Sequence, residues 1–130
     1  MRGFTLGHSL FLVTGESMRP TLRQGDLVLG APVCAALLKR GDIVVFTDGE
    51  GRRVIHRVVG TRPLRTQGDN RLAPDPPVPP SSSLWRVTHL RQGERSTRLR
   101  SGATGWCLFR QLLLRKRLET DTSIRVASSL

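Results

Sequence analysis

The sequence predicts a mainly β domain followed by one C-terminal helix, and three observations carry that expectation. Short runs of Val, Ile and Leu recur between turn-forming residues from residue 9 to residue 100. The stretch 73–83, rich in Pro and Ser, suits neither a helix nor a central strand and reads as an extended surface loop. Only over 105–118 do apolar residues take helical spacing, with Leu108, Phe109, Leu112 and Leu113 on one face.

In chain order, the apolar runs predict strands over 9–14, 26–30, 42–47, 52–59, 64–67, 84–92 and 95–100. The tetrad Asp48-Gly49-Glu50-Gly51 separates two β-branched runs and reads as a hairpin turn, which puts His56 on a hairpin strand. A short helix is expected around 32–38. Cys107, Leu114 and Leu118 fall outside the main apolar face of the last helix, so that helix is expected to touch the core and something else. The domain reading is therefore 9–100 for the β domain, 105–118 for the basic helix and 119–130 for a tail.

The chain has 130 residues and a formal charge of +11. Such charge attracts phosphate polymers, anionic lipid or acidic peptides, and says nothing about fold. Lys39 and Lys116 are the only lysines, so nearly all the positive charge is guanidinium, which cannot act as a general base. Cys34 and Cys107 form no C-x-x-C pair and no cluster with the histidines, so no metal site and no cofactor are expected; whether they pair with each other stays open. The longest apolar run near the start, Leu10 to Val13, is far shorter than the ~20 residues that span a bilayer. A cytoplasmic location is expected on that ground, with the basic helix as the element for peripheral contact with an anionic membrane.

Chemistry centres on 15–26, GESMRPTLRQGD, where Ser17 stands between a strand and a proline-punctuated turn. Alone, such a serine reads as a turn or cap residue. A serine hydroxyl attacks an amide only when a base takes its proton and donors hold the oxyanion, and the available bases are few.

Ser17-Met18-Arg19-Pro20-Thr21-Leu22 with Gly25-Asp26 resembles the nucleophile box of type I signal peptidases and their relatives. Arg40 to Phe46 resembles the family strand leading toward the base, and Ile55-His56-Arg57-Val58-Val59 resembles the base strand itself. Thr66-Gln67-Gly68-Asp69-Asn70, with Asp75 beyond it, resembles the downstream T-K-G-D-N box and its later aspartate. The four boxes occur in family order, and the resemblance covers roughly 13–100.

The resemblance implies a serine endopeptidase with Ser17 as nucleophile and His56 as base, of the histidine kind known from the endoplasmic reticulum, archaea and sporulating bacteria. Chemistry agrees, because imidazole is ordinarily a neutral base near pH 7 whereas a lysine base needs strong desolvation. Lys39 and Lys116 match no box and read as solvated charges. Asp75, six residues beyond Asp69, is the expected third group, and Asp69 a support; each also reads as a plain loop or turn aspartate. His56 between Val54 and Val58 equally suits a buried structural histidine, and His8 and His89 lack a matching context. Gly15 stands where some relatives carry a second oxyanion hydroxyl, so the hole is expected to use backbone N–H groups near Ser17 and Met18, with help from Thr14. No membrane-spanning run precedes the serine box, unlike typical members.

The fold implied is the compact barrel-like β domain shared with LexA-type self-cleaving repressors, and the implied partner is an extended peptide cut after small residues. A leader-bearing peptide fits that description, and so do the chain's own 101–103 and 126–128. Two other classes compete: a basic nucleic-acid-binding module, and a peptidase-like scaffold without activity. Aromatic content of 5% and the absence of Tyr leave few platforms for stacking bases, which argues against nucleic acid. Retention of Ser17, His56 and Asp75 argues against an inactive scaffold.

Overall fold

The computed structural model describes residues 7–120. Seven strands, β1 (Ser9–Leu12), β2 (Leu27–Pro32), β3 (Ile43–Thr47), β4 (Arg53–Thr61), β5 (Leu64–Gln67), β6 (Trp85–Gln92) and β7 (Arg95–Arg98), precede a single α-helix, α1 (Gly102–Thr120). All strand pairs are antiparallel, in the order β1-β2-β6-β3-β4-β5, with β7 hairpinned onto β6. The expected mainly β domain with a C-terminal helix is what the chain forms.

β3 explains why the core has two sides. Its sequence IVVFT is buried at four successive positions instead of alternating, because both faces of the sheet are covered there. Ile43 and Val45 join Val13, Met18, Leu22, Val28 and Val87 in one cluster, while Val44 and Phe46 join Leu38, Val58, Leu64 and Val78 in another. The second cluster is closed by Val78 from the Pro-rich loop, so 73–83 is extended, as expected, but anchored.

The β3–β4 hairpin pairs Ile43 with Arg57, Val44 with His56 and Thr47 with Arg53. Its turn closes through Asp48, whose Oδ1 accepts the N–H groups of Glu50 and Arg52 at 2.9 Å each. The sheet stays open yet curls: the Arg53 guanidinium of β4 lies 5.7 Å from the Phe11 ring of edge strand β1 and 5.5 Å from that of Trp85. That curl is the barrel-like feature, and it brings the start of β4 near β1.

Two expectations change. The helix around 32–38 is only a 3₁₀ turn at Ala35–Leu37, because β2 continues to Pro32 by pairing Ala31 with Arg86 and Pro32 with Trp85. The last helix is longer than expected, starting at Gly102, where the N–H meets Asp42 Oδ1 at 2.9 Å, and reaching Thr120. It docks closely: a Cβ at Gly105 would lie 2.3 Å from Gly41 O, and Gly105 and Phe109 are its buried residues. Leu114 and Leu118 are exposed. The expected tail falls largely on 121–130, outside the described residues.

Candidate active site

Ser17 sits in the loop between β1 and β2, and that loop is held by apolar anchors. Met18 and Leu22, at most 1% exposed, insert into the first core cluster. Backbone bonds from Val13 N–H to Asp26 O and from Gly25 N–H to Val13 O, at 2.8 and 2.9 Å, close the loop at its base. With its next neighbour plugged into the core, Ser17 has little freedom to wander.

His56 arrives from the interior of β4, and its ring packs edge-on against Phe46, with centroids 6.5 Å apart. Its Nε2 stands 2.9 Å from Ser17 Oγ, and its Nδ1 stands 2.5 Å from Asp75 Oδ2. A carboxylate only accepts, so the tautomer that satisfies both contacts carries its proton on Nδ1 and presents the Nε2 lone pair to the serine hydroxyl. Asp75 is itself fixed: Thr66 Oγ1 donates to Asp75 Oδ2 at 2.7 Å, and Asp75 N–H donates to Thr66 O at 2.8 Å.

Asp69 is elsewhere. It forms a fully buried ion pair with Arg57, Arg57 Nη2 donating to Asp69 Oδ2 at 2.8 Å, and Thr21 Oγ1 also donates to that oxygen. Arg57 Nη1 donates to Gly41 O and Arg100 O, both at 2.8 Å. Asp69 thus ties β4, β5 and the serine loop together, and it makes no contact with the imidazole among the described residues. Its N–H lies 3.4 Å from Met18 Sδ, so Met18 anchors the loop to this same tie.

Several participants had no role assigned from the sequence, although three of them lie in the T-Q-G-D-N box. Gly68 leaves room for the site: a Cβ there would lie 2.5 Å from Ser17 O and 3.1 Å from His56 Nε2. Asn70 N–H donates to Ser17 O at 2.8 Å, and Asn70 Nδ2 donates to Glu16 O at 3.0 Å. Lys116, expected to be solvated, is instead half-buried and donates to Asn70 Oδ1, because α1 passes beside this loop. Within T-Q-G-D-N, strand alternation on β5 was the available clue for Thr66, which faces inward together with Leu64.

A groove of about 820 Å³ runs past Ser17, His56 and Asp75. β1 supplies one wall through Leu10, Phe11 and Leu12, the β3–β4 hairpin another, and Pro76, Pro77 and Pro79 the rim. Thr14 and Arg71 also face it, and Gly15, exposed with φ of +81°, marks the turn into the serine loop. At the hairpin end, the N–H of Arg52, foremost, holds the Asp48 carboxyl below its ordinary pKa of 3.8. Cys34 and Cys107 are both free and exposed, and no metal-binding cluster occurs among the described residues. His89 lies in β6 beside Thr88 Oγ1, away from the groove lining. No described helix is long and apolar enough to cross a membrane.

Serine, imidazole and carboxylate thus stand in line at a groove on the β sheet. The family model for signal peptidase, peptidase S26, matches residues 2–70, more than half of the chain, and the chain belongs to that family. The matched segment includes Ser17, His56 and Asp69 and ends before Asp75. Neither the curated proteins nor the solved structures gave a match.

Proposed function

We propose that this S26 peptidase is a serine endopeptidase of the histidine kind, with Ser17 as nucleophile, His56 as general base and Asp75 as the group that orients and stabilises the imidazole. The observation that carries the reading is the unbroken line Ser17 Oγ, His56 Nε2, His56 Nδ1, Asp75 Oδ2, at 2.9 and 2.5 Å, drawn from three separate segments. A merely structural histidine has no need of an exposed groove on its serine side.

In the reaction, His56 Nε2 takes the hydroxyl proton as Ser17 Oγ attacks the substrate carbonyl. The imidazolium then gives that proton to the departing amine, and an acyl group remains on Ser17. Water, deprotonated by His56, releases the acyl group and restores the hydroxyl. The oxyanion falls to the N–H groups beside Ser17: among the described residues no acceptor engages the N–H of Ser17 or Met18, while Thr14 stands at the groove to assist.

An extended substrate fits along edge strand β1, whose outer side pairs with no other strand among the described residues. Small side chains near the cut suit a groove wall built from Phe46, Val54 and Ile55 beside the imidazole. Self-cleavage at 101–103 is disfavoured, because Gly102 and Ala103 lie in α1 and are not extended. A nucleic-acid reading loses support as well, since Trp85 packs against Phe11 and Arg53, and Trp106 against Phe109 and Arg40.

The test is fluorophosphonate labelling together with hydrolysis of an Ala-x-Ala peptide by wild type, Ser17→Ala and His56→Ala. Wild type is expected to label and cleave, and each variant to fall to background with an unchanged circular dichroism spectrum, because nucleophile and base act as one unit. Activity retained by either folded variant excludes the assignment.

A further inference from the structure

We infer that Lys116 of α1 is a positioning residue for the Ser17 loop and acts through Asn70; its consequence for turnover rests on the peptidase reading above. Asn70 uses every polar atom of its backbone N–H and side chain on this contact. Its N–H holds Ser17 O, its Nδ2 holds Glu16 O, and its Oδ1 accepts the Lys116 ammonium.

The ammonium decides which way the amide faces. Lys116 has only donors, so a flipped Asn70 would set its NH₂ group against a cation and its oxygen against the Glu16 carbonyl. Both contacts would be repulsive, and the loop would lose one of its two ties. Lys116 thereby selects the rotamer that clamps the residues flanking the Ser17 side chain.

α1 is placed to impose this. Gly105, Phe109, Leu112 and Lys116 recur at helical spacing along one stripe. Gly105 and Phe109 are buried, and Leu112 and Lys116 half-buried. Gly102 N–H is bonded to Asp42 Oδ1, and the Arg40 guanidinium lies 5.0 Å from the Trp106 ring, so the helix is fixed upstream of Lys116. A lysine at the end of an otherwise docked stripe is explained by its acceptor on Asn70.

The experiment compares the full chain with Lys116→Met, which keeps the apolar stem, and Lys116→Arg, which keeps the charge. Amide hydrogen exchange, steady-state hydrolysis of an Ala-x-Ala peptide and thermal unfolding are measured on each. Lys116→Met is expected to exchange about tenfold faster at the N–H of Asn70, and to lose about tenfold in kcat with KM within about twofold. Its unfolding midpoint should stay close to that of wild type, and Lys116→Arg should restore both rates. Unchanged exchange at Asn70 overturns the inference whatever happens to activity. Faster exchange spread over the whole sheet with a lowered midpoint overturns it too, since Lys116 would then serve general stability. If exchange moves at Asn70 but wild type cleaves no peptide, the clamp stands and the peptidase reading falls.

Discussion

Asp75 Oδ2 is shared between the His56 ring and the Thr66 hydroxyl, whereas Asp69 is taken up by Arg57 and Thr21. The two aspartates should therefore fail in different ways. Asp75→Asn is expected to lower kcat by about a hundredfold or more with intact stability, because the imidazole loses its orientation and the stabilisation of its cation. Asp69→Asn leaves the Arg57 guanidinium buried without a counter-charge and should cost about 3–5 kcal/mol of stability, read from urea unfolding. Thr66→Val removes one bond to Asp75 and should lower kcat by about three- to tenfold. Reversed phenotypes for the two aspartates would exchange their roles. Asp48 gives the β3–β4 turn a pH dependence of its own. Its folded-state pKa is lowered, so its contribution to stability is complete above 3.8 and is lost only as pH falls through the lower value. Spacing by the family resemblance favoured Asp75 over Asp69 in the sequence, but each also read as a loop aspartate, and their partners are brought in only by folding.

Among the elements, the strands were legible because each is a short β-branched run between turn residues, and the β3–β4 hairpin followed from a single Gly-rich tetrad. The misreading at 32–38 has a plain cause: β2 gains a partner in β6 from more than fifty residues away, and no local pattern announces that pairing. Helix α1 was visible from its period, and Phe109 of its expected apolar face is buried, but the start of the docking face at Gly105 was not legible, since a glycine carries no apolar signal. Gly105→Ala tests the docking by sign. Helix propensity alone favours alanine by about 1 kcal/mol. Against it stand Gly41 O at 2.3 Å, Arg57 Nη1 at 2.8 Å and Arg100 O at 2.9 Å from the added carbon. Overpacking of about 1–3 kcal/mol should win, and urea unfolding should show a less stable protein. A more stable Gly105→Ala would mean that α1 does not dock on Gly41.

The whole molecule carries a net charge of +11, while at the groove Arg52, Arg53 and Arg71 are matched in number by Asp48, Glu50 and Asp75, so attraction of an acidic peptide comes from the overall field of the molecule. Raising ionic strength from about 0.05 to 0.5 M should therefore raise KM for an acidic peptide and leave kcat nearly unchanged, whereas an uncharged peptide should show no such dependence. Equal salt sensitivity for both peptides would remove electrostatic steering. Beyond charge, the strand order has a temporal meaning. β6 pairs with β2 on one side and β3 on the other, so among the described strands it alone joins the part of the sheet beside Ser17 to the part that carries His56. Ser17, His56 and Asp75 all precede β6 in the chain. Synthesis therefore delivers all three of these residues before the strand that joins their two halves of the sheet. On the proposed roles, competence waits for β6 to enter the sheet, so the segments that form the site are made before they can act together.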